Sequence, residues 1–277
     1  MAITAQDVNK LRQMTGAGMM DCKKALVESD GDFDKAIEIL RKKGQKVSAS
    51  RADRETNEGI VIVKTNEDHT VGVLVAFSCE TDFVAKNEEF VALGEKLATA
   101  AFTNKPADAA ALKALKADGD LTFNDKITEL IGKIGEKLDI VAYEVMEGEA
   151  VVPYIHAGSK LGVLVSLKNT NGADVLAAGK DVGMQIAAMN PIAVDKDGVD
   201  STVVEKEIEI GKDQARQEGK PEAMLEKIAM GKLNKFYKEN TLLSQAFVKD
   251  GGMNISQYLD SVSKGMTVAE FKRITIG

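Results

Sequence analysis

The first 45 residues carry apolar positions at helical spacing. Val8, Leu11 and Met14 fall on one face of a first helix, with Thr4 placed to cap it. Thr15-Gly16-Ala17-Gly18 breaks the pattern, which resumes over Met19 to Glu28 with Ala25 and Leu26 turned inward. Ser29-Asp30-Gly31-Asp32 breaks it again, and Phe33, Ala36, Ile37 and Leu40 give the stripe of a third helix. Residues 1–45 therefore predict a three-helix unit with a small core. The next stretch is polar and carries Arg41, Lys42, Lys43, Lys46, Arg51 and Arg54. Residues 46–58 read as a basic, solvated linker.

The period then changes to that of strands. Ile60 to Lys64 and the apolar run Val71 to Phe77 predict two strands, followed by a helix over Asn87 to Phe102. A helical connection from Ala107 to Leu138 is broken at Asp118-Gly119-Asp120 and carries Leu130, Ile134 and Leu138 on one stripe. This order of elements recurs. Gly72-Val73-Leu74-Val75 returns as Gly162-Val163-Leu164-Val165, and Leu93-Gly94 with Leu97-Ala98 matches Val182-Gly183 with Ile186-Ala187. Val151 to His156 supplies the preceding strand of the second copy, which gains an earlier strand, Ile140 to Met146. The repeat predicts a duplicated β-β-α core, with a first subdomain over 59–138 and a second over 139–277.

Residues 201–239 interrupt the second copy. Ser201 is placed to cap a helix bearing Val204, Ile208 and Ala215, and Glu218-Gly219-Lys220-Pro221 stops that helix and starts another. Met224, Leu225, Ile228, Ala229 and Leu233 stripe the return helix. Such an inserted antiparallel hairpin projects from the core and can serve a partner or a homodimer. A short strand from Leu242 to Val248, a helix from Ile255 to Val262 and a last strand from Val268 to Ile276 complete the second subdomain. The fold class is α+β with antiparallel sheets.

Composition narrows the function. The 277-residue chain has a formal net charge of −7, which argues against a general nucleic-acid binder. It has no Trp and few aromatics, so its cores rest on Ala, Val, Ile and Leu. Cys22 and Cys79 form no CxxC pair, which fits a reducing compartment. No signal-type N-terminus is present, and no apolar run approaches the roughly 18–20 residues of a membrane span, so the cytoplasm is expected. His69 reads as a solvated hairpin tip, and neither it nor His156 has carboxylates at metal-ligand spacing. Glu80 and Asp82 beside Cys79 raise its thiol pKa rather than activate it. Phosphate-loop, dinucleotide and zinc-protease motifs are missing. No catalytic residue, metal or cofactor is expected, and the chain reads as a binding or regulatory factor rather than an enzyme.

Phe83 is left over by this pattern. It sits in Ser78-Cys79-Glu80-Thr81-Asp82-Phe83-Val84-Ala85-Lys86-Asn87, between an apolar strand and a helix, among polar neighbours. An aromatic there either plugs the end of its own sheet or fits a pocket in a partner. Three segments carry a wider resemblance: Leu11 to Leu26, Thr81 to Lys86, and Tyr154-Ile155-His156 with Leu161 to Val165. On these segments and on the order of its parts, the chain resembles the elongation factor Ts family of bacterial translation factors. Its three-helix head is similar to ubiquitin-associated domains.

The resemblance implies a guanine-nucleotide exchange factor for elongation factor Tu. It implies that Thr81, Asp82, Phe83 and Val84 enter the partner's nucleotide domain and dislodge its magnesium. It places Arg12, Met19, Met20 and Lys23 of the head against that domain, and His156 against the partner's distal domain. One of the adjacent methionines is expected to be exposed. The C-terminus, soon after Phe271-Lys272-Arg273-Ile274, reads as shorter than in longer members. A ubiquitin-associated adaptor and an RNA-associated module without exchange activity are the rival readings. The core and hairpin are superfluous to the first, and the acidic total and lack of aromatics between Arg41 and Arg54 oppose the second.

Overall fold

A computed structural model describes residues 3–277. The head contains α1 (Ala5–Thr15), α2 (Met19–Glu28) and α3 (Phe33–Arg51). Thr4 caps α1 in a reciprocal box: its hydroxyl accepts from the Asp7 N–H while the Asp7 carboxylate accepts from the Thr4 N–H. Val8, Leu11, Cys22, Ala25, Leu26 and Ala36 form the head's core. Met14 is exposed instead of sharing the Val8–Leu11 face. Its helix stops at Gly16 in the left-handed conformation, and Cys22 with the Thr15 hydroxyl closes that end of the core.

The first part of the core comprises β1 (Glu58–Thr65), β2 (Val71–Cys79), α4 (Asp82–Ala85), α5 (Glu88–Asn104) and α6 (Ala109–Ala114). The break expected near Gly119 is a small hairpin of β3 (Lys116–Asp118) and β4 (Leu121–Thr122), ahead of α7 (Phe123–Ile134) and β5 (Asp139–Glu147). Gly135 ends α7, so Leu138 is buried just beyond the helix whose stripe it was expected to continue. The second part comprises β6 (Ala150–Ile155), β7 (Leu161–Lys168) and α8 (Val175–Met189). The hairpin is α9 (Ser201–Gln217) and α10 (Glu222–Asn240). The chain returns through β8 (Ala246–Phe247), β9 (Asp250–Asn254), α11 (Ile255–Val262) and β10 (Thr267–Thr275).

Two antiparallel three-stranded sheets result, ordered β1-β2-β5 and β10-β7-β6. β5 therefore belongs to the first sheet, not the second as the sequence suggested. β2 needs a second neighbour to satisfy its backbone, and β5 supplies it, as β10 does for β7.

Both central strands are buried on both faces. Val73, Val75 and Phe77 pack beneath α5, with Phe90 stacked on Phe77 at 4.4 Å between ring centroids. Leu74 and Ala76 point the other way and meet Leu164, Val151 and Val61 between the sheets. Val163, Val165 and Leu167 pack beneath α8. The layers run helix, sheet, sheet, helix, which explains why these strands read as unbroken apolar runs instead of alternating ones.

The repeated Gly-Val-Leu-Val has a specific packing use. A Cβ on Gly72 would lie 2.9 Å from a Leu164 methyl, and one on Gly162 would lie 3.4 Å from a Leu74 methyl and 2.5 Å from a Val61 methyl. The leucine of each copy thus covers the glycine of the other. The two sheets approach closely because both contact points lack side chains.

The head meets the core through a second glycine contact. At the crossing of α3 and α7, a Cβ on Gly132 would sit 2.8 Å from the Cα of Gly44. Val47, one turn on, packs against the first core. Helix α3 consequently runs through residues read as linker, and only 52–57 connect it to β1. Packing overrides the polar composition because the charged side chains occupy the solvent side of the helix. Elsewhere, Asp200, not Ser201, caps α9 through the Thr202 N–H. The His69 turn is tied down, its carbonyl accepting from the Val151 N–H.

Gly162→Ala is expected to lower unfolding stability by about 1–3 kcal/mol by overpacking the contact between the sheets. Urea unfolding measures it, and a loss below about 0.5 kcal/mol, the range of ordinary surface changes, contradicts the close approach.

Candidate functional site

The segment between β2 and α5 is built by a carboxylate clasp. Glu136 follows the left-handed Gly135 stop of α7. Its side chain accepts from the Glu80 N–H at 3.2 Å, the Thr81 N–H at 3.0 Å and the Thr81 hydroxyl at 2.6 Å. Glu80 answers: its carboxylate accepts from the Lys137 N–H at 2.7 Å and from the Arg54 guanidinium at 2.9 Å. The Lys137 ammonium then donates to the carbonyls of Ala52 and Arg54, at 2.7 and 2.8 Å. The end of the head helix, the start of β5 and the exit of β2 are joined in one network.

Thr81 caps the single turn of α4, and Asn87 caps α5 directly after it. The side chains of this turn diverge. Phe83 is 81% exposed, while Val84 is 8% exposed and packs in the first core. The plug reading of Phe83 therefore fails. Val84 faces the core instead, because successive residues of a helical turn point about 100° apart and one of them must anchor the turn. Asp82 is exposed and pairs with Lys86 at 2.8 Å, four residues on.

The other residues singled out lie elsewhere. Arg12 is exposed on α1, and Lys23 is exposed on α2. Met19 and Met20 are both exposed, where only one was expected. His156 lies just past β6 in the second part of the core, exposed, with its Nδ1 3.0 Å from the Tyr154 hydroxyl. Among the described residues, no three His, Cys, Asp or Glu side chains converge on a point suited to a metal ion.

Glu136, Glu80, Lys137 and Arg54 were missed by sequence reasoning. Glu136 stands 55 residues from Thr81, and a lone glutamate after a helix stop carries no local signal of such a contact.

The electrostatics follow from this geometry. Burial alone raises the Glu80 pKa, but the Lys137 N–H and the Arg54 guanidinium together outweigh it and hold the carboxyl below its ordinary value. The hydrogen bond from Lys86 lowers Asp82. Burial first, and then the carboxylates of Glu136 and Glu58, push the Cys79 thiol up to about 12. The direction agrees with expectation, but the acidic neighbours responsible are not Glu80 and Asp82. A thiol so placed is inert at neutral pH.

Two outcomes are expected. Native protein at pH 8 should react with a thiol reagent far more slowly than unfolded protein, because Cys22 and Cys79 are both buried; stoichiometric labelling of the folded chain within minutes contradicts this. Glu80 contributes stability above its ordinary carboxyl range, and that contribution is lost as pH falls through the depressed pKa. Glu80→Gln should accordingly melt below the wild type at pH 7, and the gap should narrow below about pH 4, as ordinary glutamate values dictate. A gap that stays constant down to pH 3 contradicts the assignment.

A family model described as Elongation factor TS matches residues 80–277. The chain is 57% identical over 277 residues to the elongation factor Ts of Amoebophilus asiaticus, with 100% of both chains covered. It is 60% identical over 274 residues to that of Cytophaga hutchinsonii, with 99% of each chain covered. The elongation factor Ts of Chlorobaculum tepidum is 44% identical, across 95% of this chain and 93% of its own. The matched span begins at Glu80, the residue that opens the clasped turn, and with identity of this extent the chain belongs to the elongation factor Ts family.

Proposed function

We propose that this chain binds elongation factor Tu carrying GDP and accelerates exchange of GDP for GTP, acting through the turn Thr81 to Val84. The observation that carries this reading is an exposed phenylalanine on a turn that is otherwise fixed: Phe83 is 81% exposed while Val84 is buried beside it. An aromatic held out in this way loses little conformational entropy on entering a pocket, because its backbone is already ordered.

The physics of exchange requires no acid, base or nucleophile from this chain. The partner's magnesium offsets the charge of the nucleotide phosphates. A rigid apolar ring wedged beside that site disturbs the groups holding the metal and seeks no hydrogen bond of its own. Linkage makes the effect reciprocal: a hundredfold weakening of GDP corresponds to about 2.7 kcal/mol, and GDP weakens the factor equally. Incoming nucleotide then expels the factor, so a small amount serves many turnovers.

The remaining surfaces hold the strained state. Arg12, Met19, Met20 and Lys23 of the ubiquitin-associated-like head contact the nucleotide domain, the methionines as adaptable apolar contacts. His156 contacts a more distant part of the partner. The expected units at 1–45, 46–58, 59–138 and 139–277 divide the labour in this reading, adjusted so that the head helix runs on to Arg51, β5 joins the first core sheet and the hairpin at 201–239 stays with the second. The adaptor reading draws on the head alone, whereas the family model matches residues 80–277 and the elongation factor Ts relatives align over the whole chain.

Release of a fluorescent GDP analogue from elongation factor Tu tests the proposal. Substoichiometric chain is expected to accelerate release by at least tenfold, the scale of a typical coupling free energy. No acceleration by folded chain with active partner overturns it.

A further inference from the structure

The turn that presents Phe83 has an internal counterpart. At the exit of β7, the Glu149 carboxylate accepts from the Asn169 N–H at 2.8 Å, the Thr170 N–H at 2.8 Å and the Thr170 hydroxyl at 2.6 Å. Glu136 makes the same three bonds at the exit of β2, to Glu80 and Thr81. The carboxylates come from different places in the topology. Glu136 precedes β5, the outer neighbour of β2, and Glu149 precedes β6, the hairpin partner of β7.

Beyond the two clasps the chain takes different paths. After Thr170 it turns through Asn171 and Gly172, both at positive φ, and enters α8 capped by Asp174. After Thr81 it makes the extra turn of α4, with Phe83 outward and Val84 inward, before α5. Only the first clasp is tied to a second carboxylate, Glu80, and through Arg54 and Lys137 to the end of the head helix.

From this difference we infer that Glu136 is a positioning residue for nucleotide exchange: it fixes the base of α4 so that Phe83 is held in the orientation that enters the partner. The inference rests on the exchange reading above. Glu136 touches neither Phe83 nor, in that reading, the nucleotide. It acts by satisfying two successive backbone N–H groups and the Thr81 hydroxyl, which otherwise leave the turn held only by Val84 in the core and by the Cys79 thiol on the Thr81 carbonyl. A glutamine at this site keeps the size but loses the charge, so the bonds from the two N–H groups are no longer charge-assisted and the bond to the Thr81 hydroxyl must reverse, the amide nitrogen donating where a carboxylate oxygen accepted.

The test uses the full chain and elongation factor Tu, with kcat and KM of GDP release read separately. Glu136→Gln is expected to lower kcat by about ten- to a hundredfold, as misplacement of a reacting group by about an ångström does. KM should stay within twofold, because the docking surfaces are intact. Hydrogen exchange at the Glu80 and Thr81 amides should quicken in the same variant. Glu149→Gln is the matched control: it should quicken exchange at Asn169 and Thr170 and leave kcat unchanged. In the Phe83→Ala background, Glu136→Gln should add no further loss, since both act through one ring. Should Glu136→Gln not fold, Glu136→Asp decides: its carboxylate stands one methylene short of the Glu80 and Thr81 N–H groups, so kcat should fall while KM holds, and an unchanged kcat with quickened amides overturns the inference.

Unchanged kcat with quickened Glu80 and Thr81 amides overturns the inference while leaving the wedge intact, provided Phe83→Ala is impaired. An equal loss of kcat in Glu149→Gln, or multiplicative losses in the double variant, overturns it by showing a general loosening. Unimpaired exchange by Phe83→Ala removes the exchange reading itself, and the amide data then still report whether the clasp exists.

Discussion

The contact between the two sheets is the constraint on which the rest of this molecule depends. Each sheet has three strands, and its central strand is apolar on both faces, so one helix layer alone leaves the other face uncovered. Stacking them back to back buries Val61, Leu74, Ala76, Met146, Val151, Leu164 and Ile276 in one layer. That layer requires close approach, and Gly72 and Gly162 permit it. With the inner faces committed to each other, the outer faces must be covered by α5 and α8. Every loop that leaves the sheets is then forced to their ends, and the β2–α5 connection with Phe83 is one of these.

Rigidity passes from this core to the turn by polar contacts rather than apolar ones. Val84 is the single apolar anchor of α4 that is fully inside. The remaining restraint comes from Glu136 and Glu80, each accepting from the backbone beside the other. Charge-assisted bonds to backbone N–H groups are directional, so they set orientation as well as stability. The Arg54 and Lys137 contacts bring the head into the same network. The head's attachment and the posture of Phe83 therefore depend on common residues.

Much of the architecture is legible in the sequence because it is periodic. The stripes of the head, the apolar runs of β2 and β7, the repeated Gly-Val-Leu-Val and the Gly-Lys-Pro break in the hairpin all leave local marks. Other features escape because they are decided by partners far along the chain. Residues 46–51 look like linker because nothing nearby announces that Gly44 will lie on Gly132. β5 precedes the second copy in sequence but pairs with β2, and only the backbone demand of that strand explains the choice. The four-residue site motif is recognisable as a unit, yet it mixes an exposed ring with a buried valine, a division that only the α4 turn reveals. Glu136 has no local signature at all; its importance comes from three hydrogen bonds across 55 residues and more.

The central claim is that an exposed, pre-positioned Phe83 drives nucleotide release. Stopped-flow GDP release from elongation factor Tu at saturating Phe83→Ala, compared with wild type, tests it most directly. Because the ring is solvent-exposed, the variant should fold and bind as the wild type does. Its maximal release rate should fall by at least tenfold with little change in the concentration needed for half-saturation, the pattern of an interaction made only in the activated state. A maximal rate equal to that of the wild type would contradict the claim and leave Phe83 as a simple surface residue.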